Sequence, residues 1–400
     1  MKILVLSWEY PPYSKGGLAS HLYDLLPELS KVGIEIYLVT QGTEDTPQYE
    51  QKNGIHVYRV YTPKISTPDF SSWVMLLNYK LLEKAISVVN NNQIDLIHSH
   101  DWLVTFASQT LKHTYALPLV TTIHATEVGR NHGIHNEEQK YINDIEWWTT
   151  YEAWEVICCS DYMKSEVTGH FSLPQDKVKV IRNGVKEENF SAQYDGNFRT
   201  NFAHPEENIV FFIGRLVQEK GVQVLLEAVP QILKYSPQTK FIIAGNGPKE
   251  DDLKSQARRL GIAQHVYFTG YAREKLRNSL YQIADVAVFP SLYEPFGIVA
   301  LEAMITKTPL VGSDVGGLGE IIEHRRNGLK TYPDDSKSLA SNILKILYDE
   351  ALTKNMVANA YQEAKEDYNW TSIAEQTVEV YRGVLAEYET SDWDEEEIVM

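Results

Sequence analysis

Cysteine is nearly absent: the 400-residue chain has two, Cys158 and Cys159, adjacent in the apolar stretch WEVICCS. Neighbouring thiols cannot tie distant segments together, which excludes a disulfide framework and leads us to expect a reduced, cytoplasmic setting. Long hydrophobic runs are missing too. The opening MKILVLSWEY offers one lysine and a four-residue apolar run, short of the roughly 7–15 residues of a secretory leader's core, so none is expected. No stretch approaches the roughly 18 apolar residues of a membrane span. A transmembrane segment is therefore not expected, and peripheral membrane contact is left open. Runs of Lys and Arg are lacking, and the formal net charge is −17, so a nucleic-acid partner is not expected. The final SDWDEEEIVM carries five acids and no base and reads as a solvated acidic tail over 391–400. Low-complexity segments are absent as well.

What is present is a soluble-protein composition, 43% apolar and 23% charged, in a chain too long for one ordinary core. Two domains of roughly 150–200 residues suit it. Short apolar runs alternate with helical patterns. KILVL, IEIYLVT, DLIHS, LPLVTTI, WEVICC and KVKVI read as strands, with helices such as LASHLYDLLPELSKV and VMLLNYKLLEKAISVV among them. The pattern repeats with NIVFFIG, KFIIAG, HVYFTG, VAVFP and TPLVGS. Strands alternating with helices predict parallel sheets covered on both faces. Between the halves, RNGVKEENFSAQYDGNF lacks periodicity. We expect two α/β, doubly wound, Rossmann-like domains, 1–185 and 186–376, facing each other across a ligand cleft. A last helix, with Thr371 as its cap and a C-terminal part at about 377–390, is expected to pack back on the first domain.

Four stretches carry candidate chemistry. In YSKGGLASH, Gly16 and Gly17 lie between the first strand and first helix; they suit a phosphate loop or a plain turn. In FFIGRLVQEKGVQVLLEA, Arg215 and Lys220 fall between strand end and helix start, where a planar fork and a point charge would meet phosphate oxygens or simply face solvent. IIAGNGPKEDD repeats that arrangement, with Gly245, Asn246 and Gly247 opening a helix. In HSHDW, His98 and His100 share a strand face with Asp101 following. A third ligand, His124 of TTIHATE, would make a metal site, but a polar substrate rim is preferred and no metal site is expected. The triplet Asp392-Trp393-Asp394 is discounted as a cation site because it lies in the acidic tail. In SLYEPFGIVALEA, Glu294 precedes a proline and so belongs in a loop, while Glu302 lies about one turn into the next helix. A carboxylate beside free amides near Gly297 suits a polyhydroxyl ligand carrying phosphate; a capping Glu294 and an exposed Glu302 are the plain alternative.

The ordered set WEYPPYSKGGLASHL, DLIHSHDWL, TTIHATEVGR, VIRNGV, GRLVQEKG, AGNGP and PSLYEPFGIVALEAM resembles the retaining glycosyltransferases of family 4. These have the GT-B fold, and within them the chain is similar to the glycogen-synthase-like branch. EPFGIVALE matches that family's E-x7-E element. The resemblance implies a role for each position. Glu294 would contact donor sugar hydroxyls, and Glu302 the ribose hydroxyls. Arg215 and Lys220 would hold the diphosphate, helped by the Gly16–Gly17 loop, by Gly245 and Asn246, and by the amides after Phe296, at Gly297 and Ile298. His124 would sit against the donor sugar. Val266, Tyr267 and Phe268 would flank the base, and His100 and Asp101 would line the acceptor side. His124, Glu294, Arg215 and Lys220 form the expected catalytic set.

One departure matters. Starch and bacterial glycogen synthases usually carry K-x-G-G; here that lysine's slot is Ser14, and Lys15 abuts Gly16. In that family the lysine is associated with ADP-glucose, so UDP-glucose becomes the expected donor and ADP-glucose the second. No cofactor is expected. The expected reaction is metal-independent, retaining transfer of a hexose to a saccharide acceptor in envelope, exported or α-glucan polysaccharide synthesis. The rivals are an ADP-glucose-dependent glycogen synthase, a sugar-nucleotide epimerase, a glycosidase, and an inactive sugar-nucleotide sensor or scaffold. The base, the acceptor, the linkage and the oligomeric state are not legible.

Overall fold

Eight strands of the first half form one sheet in the order β3-β4-β2-β1-β5-β6-β7-β8. They are β1 (Lys2–Ser7), β2 (Glu35–Gln41), β3 (Tyr49–Lys52), β4 (Ile55–Val60), β5 (Leu96–His100), β6 (Leu119–Ile123), β7 (Glu155–Cys158) and β8 (Val178–Val180). The structure is a computed structural model that describes residues 1–14, 16–190 and 197–393. Lys15, Asp394 and most of the acidic tail lie outside the described residues, as does part of the linker stretch.

The strands pair in parallel except β3 with β4. The sheet is thus doubly wound and parallel, as expected, with one antiparallel edge strand that the sequence reading does not draw out. Asn53 (φ 53°) and Gly54 (φ 79°) both sit in the left-handed region, as a tight hairpin between β3 and β4 requires. Central strands such as β1 and β6 are buried almost end to end, as helices on both faces demand.

The second sheet runs β11-β10-β9-β12-β13-β14, all parallel. Its strands are β9 (Asn208–Ile213), β10 (Thr239–Ala244), β11 (Val266–Gly270), β12 (Val286–Phe289), β13 (Leu310–Ser313) and β14 (Leu329–Thr331). The order reverses between β9 and β12. In an open α/β sheet, that reversal opens a crevice at the strands' carboxyl ends. In the first sheet the reversal falls between β1 and β5.

Two compact units result: Met1–Asn183 with Trp370–Met400, and Gly184–Asn369. Each has its own core. Phe212, Leu225, Phe241 and Leu339 belong to the core of the second. In the first, the last helix, Trp370–Thr390, lays Trp370, Ile373, Val378 and Tyr381 into the cluster that holds Leu22, Leu26 and Ile36. That helix begins at Trp370, so Thr371 is a helical residue rather than its cap. Among the described residues, no helix is long and apolar enough to cross a membrane.

Candidate functional site

In the second unit, β9 ends in the Gly214–Lys220 loop and β12 in the Pro290–Gly297 loop, on either side of the reversal point. Gly221 joins the two. Its φ is +70°, and a Cβ there would lie 1.7 Å from the Pro290 carbonyl oxygen. Only glycine allows that approach. The backbone bond from Leu292 N to Glu219 O (2.8 Å) completes the seam. Lys220 is thereby delivered to Glu294: Nζ lies 2.7 Å from Oε2, and Ser291 Oγ donates to the same oxygen at 3.1 Å. Glu294 is 7% exposed, and its backbone carbonyl accepts from Gly317 N at 2.9 Å. Arg215 is exposed and makes no ion pair among the described residues.

Gly297 (φ +108°) opens the helix Ile298–Ile305, whose first turn contains no acid. Glu302 lies on that helix, 7% exposed, rather than on an exposed face. Arg277 Nη1 donates to its Oε1 at 3.0 Å, and the Tyr281 hydroxyl donates to its Oε2 at 2.9 Å. Burial and the Glu302 charge push the Tyr281 phenol well above its ordinary range, so it remains a donor. Each carboxylate oxygen retains a lone pair for a further donor such as a sugar hydroxyl.

The Gly245–Asn246–Gly247 stretch differs from expectation. It does not open a helix directly: the next helix is Glu250–Arg259, and its first turn carries Glu250, Asp251 and Asp252. Those carboxylates already occupy the positive end of the helix dipole. Gly245 (φ +136°) instead presses on the Gly214 carbonyl, its Cβ position 1.8 Å from that oxygen, and Asn246 O accepts from Leu216 N at 2.9 Å. On β11, Val266 is buried, Tyr267 is 39% exposed, and the Phe268 ring faces Lys254 Nζ at 5.7 Å. Phe296 is buried and meets the Tyr368 ring edge-on.

In the first unit, the helix Gly17–Lys31 follows β1 with no acid in its first turn. The amide of Gly16 is already engaged, donating to Glu9 Oε2 at 3.2 Å. Beyond β5, Asp101 adopts φ 58° and ψ 175°, a region nearly reserved for glycine. Its carboxylate accepts from His124 N at 2.8 Å and from the Ala125 amide. Burial pushes Asp101 up to about 6, against the pull of Arg130 and those two amides. The acceptor-side carboxylate of the sequence reading thus fixes the His124 backbone.

His100 has no exposed surface and does not form the open rim expected of it. Its Nδ1 lies 3.1 Å from His124 Nε2. His98 is engaged at both nitrogens, by the Tyr381 hydroxyl at 2.7 Å and Thr122 Oγ1 at 2.8 Å. The fourth imidazole here is His21, whose ring lies 4.8 Å from that of His124. Burial, then neighbouring imidazoles, pushes His21 and His98 down to about 3 and His100 well below its ordinary value. Burial, then Arg130, brings His124 to about 3. Burial therefore favours the uncharged form of all four imidazoles.

Sequence reasoning missed Glu9, His21, Arg277 and Tyr281. His21 closes the quoted YSKGGLASH stretch, one turn into its helix. Arg277 and Tyr281 stand four apart on the helix Glu274–Ile283, hence on one face, which was a readable sign of a shared partner.

The family description "Glycosyl transferases group 1" matches residues 195–363, and "Glycosyltransferase Family 4" matches residues 15–189. The uncharacterized glycosyltransferase MJ1607 of Methanocaldococcus jannaschii is 41% identical over 96% of this chain and 98% of its own length. The chain belongs to the glycosyltransferases. A glycogen synthase of Mycobacterium tuberculosis is 32% identical to this glycosyltransferase, over 95% of this chain and 94% of the other. Among solved structures, sucrose-phosphate synthase from Thermosynechococcus elongatus superimposes with a TM-score of 0.85 at 24% identity, covering 96% of this glycosyltransferase and 99% of that chain. Anabaena Alr3699/HepE, in complex with UDP-glucose, gives 0.78 at 22% identity, covering 96% and 100%. The fold is GT-B.

Proposed function

We propose that this glycosyltransferase moves glucose from UDP-glucose to a saccharide acceptor in polysaccharide synthesis, with retention at the anomeric carbon and without metal in the chemistry. The observation that carries the reading is the Lys220–Glu294 pair at the reversal point of the second sheet, beside the exposed Arg215. Cleaving a sugar–phosphate bond develops negative charge on the departing diphosphate, and cations fixed in advance lower that barrier most. Lys220 and Arg215 supply them, and the acid-free start of the Ile298–Ile305 helix adds amide dipoles. Glu302, oriented by Arg277 and Tyr281, takes the ribose hydroxyls. Glu294 takes hydroxyls of the sugar.

His124 is the proposed contact to the sugar, and Asp101 holds the backbone that carries it. Retention follows from attack on the face the diphosphate leaves, aided by the leaving phosphate. Glu294, already paired to Lys220 and Ser291, suits a binding role better than that of a nucleophile, which a two-step route requires. A covalent sugar adduct on Glu294 would overturn this mechanism. The buried thiols Cys158 and Cys159 support a cytoplasmic setting. Ser14 in place of the K-x-G-G lysine supports UDP over ADP; the name of the M. tuberculosis relative, a glycogen synthase, supports glycogen synthesis as the second reading, with ADP-glucose as its expected donor.

The deciding measurement is a melting screen with UDP, ADP and GDP. A nucleotide at 100 times its Kd stabilises by about 2.7 kcal/mol, and UDP is expected to give the largest shift. Equal indifference to all three would remove the reading.

A further inference from the structure

We propose that His21, His100 and His124 form a three-histidine site for a divalent transition metal of the zinc class. Each ring offers a nitrogen, and these atoms lie within 4.8 Å of one another. Nε2 of His21 and Nε2 of His100 are buried without a hydrogen-bond partner, on side chains that are 6% and 0% exposed. Buried polar atoms without partners are costly and call for an occupant.

His21 has the second feature of a ligand. Its Nδ1 lies 2.6 Å from Asn183 Oδ1, an acceptor that fixes the proton on Nδ1 and turns the Nε2 lone pair inward, as the outer partners of metal-binding histidines do. His98 packs against His100, ring centroids 4.2 Å apart, but has no nitrogen to give and forms the wall. Three imidazoles and no carboxylate favour zinc, cobalt, nickel or copper over magnesium or calcium. Metal–nitrogen bonds of about 2.0–2.1 Å in tetrahedral geometry require the three nitrogens to draw together by ring rotation, with His124 Nε2 releasing His100. Three ligands leave a fourth position for water.

Binding does not depend on the transfer reaction. One consequence does rest on the proposed role of His124: a metal held there takes that side chain from the donor sugar, so occupancy switches transfer off and chelation restores it.

The test uses the full chain, stripped with chelator and titrated with zinc alone. We expect a single zinc retained per chain after gel filtration, and X-ray absorption showing a nitrogen shell at about 2.0 Å with imidazole scattering. His21→Ala and His100→Ala should abolish retention, and Asn183→Ala should weaken it by roughly 10–100-fold. The absorption spectrum is read on the unmutated chain, so a variant that fails to fold leaves the proposal open to refutation. No retained zinc, a shell without imidazole, or retention unchanged in folded His21→Ala and His100→Ala would overturn the site and leave an internal water as the occupant. Zinc bound at these residues with transfer unimpaired would overturn the role of His124 instead, and leave the site standing.

Discussion

Lys220 concentrates much of the proposed chemistry in one side chain, held on the Glu294 carboxylate until a diphosphate competes for it. Lys220→Ala removes a charge-assisted phosphate contact worth about 1.5–3 kcal/mol, so kcat/KM for the donor should fall by roughly 10–150-fold. Unchanged donor kinetics would exclude the assignment. Tyr281→Phe removes one of the two donors on buried Glu302. A stability loss of about 1.5–3 kcal/mol in urea unfolding is expected, together with weaker nucleotide binding; a variant as stable as the parent would show that the bond is unimportant.

Glu146 gives a pH prediction. It is buried, with both carboxylate oxygens 3.0 Å from Glu127 N. Burial, with Asp101 and Glu127 adding repulsion and Arg130 opposing, pushes it up to about 8. The folded chain thus keeps a proton that the unfolded chain loses near the ordinary carboxylate value. Stability from this group is intact below about pH 4.5 and declines as pH rises toward 8, by an amount on the order of a few kcal/mol. Glu146→Gln should flatten that decline in melting curves recorded from pH 5 to 8. A parallel decline in parent and variant would assign it to other groups.

At the scale of elements, the sequence disclosed the strands whose apolar runs are unbroken, because strands buried on both faces can hardly be written otherwise. The β3–β4 edge escaped. YEQK and IHVYRV mix polar and apolar residues, as an edge strand does, and the Asn53-Gly54 turn between them was the available signal. The site divided in the same way. Glu294, Glu302, Arg215 and Lys220 were legible because their loops carry proline or glycine next to charge. His21 was not, since its partners His100 and His124 lie on other strand ends and only the tertiary arrangement unites them. The charges of Glu250, Asp251 and Asp252 were plain to read, but not that they cap the one helix start that the Gly245 loop was expected to offer.

Gly221 binds two of these elements together. Gly221→Ala drives a methyl into the Pro290 carbonyl from a backbone conformation already unfavourable for alanine. We expect a loss exceeding about 1–3 kcal/mol, read as a lowered denaturant midpoint, with nucleotide affinity falling in step because Lys220 is adjacent. A variant of parental stability would show that the two loops can part without cost.

On the scale of the whole chain, the two units differ in how they are assembled from sequence. The second is continuous, Gly184–Asn369. A fragment of those residues should unfold cooperatively by itself and retain a melting response to UDP. A fragment ending at Asn183 lacks the helix that buries Trp370, Ile373 and Tyr381 and that supplies the hydroxyl facing His98. It should bind hydrophobic dyes and aggregate. A well-folded, monomeric 1–183 fragment would contradict this.

The last helix also sets a timetable. Ribosomes deliver Trp370–Thr390 only after both sheets have emerged, so the earliest-made half of the protein waits longest for its missing wall. Termination just before Trp370 would strand that half, open, although the second half is already complete.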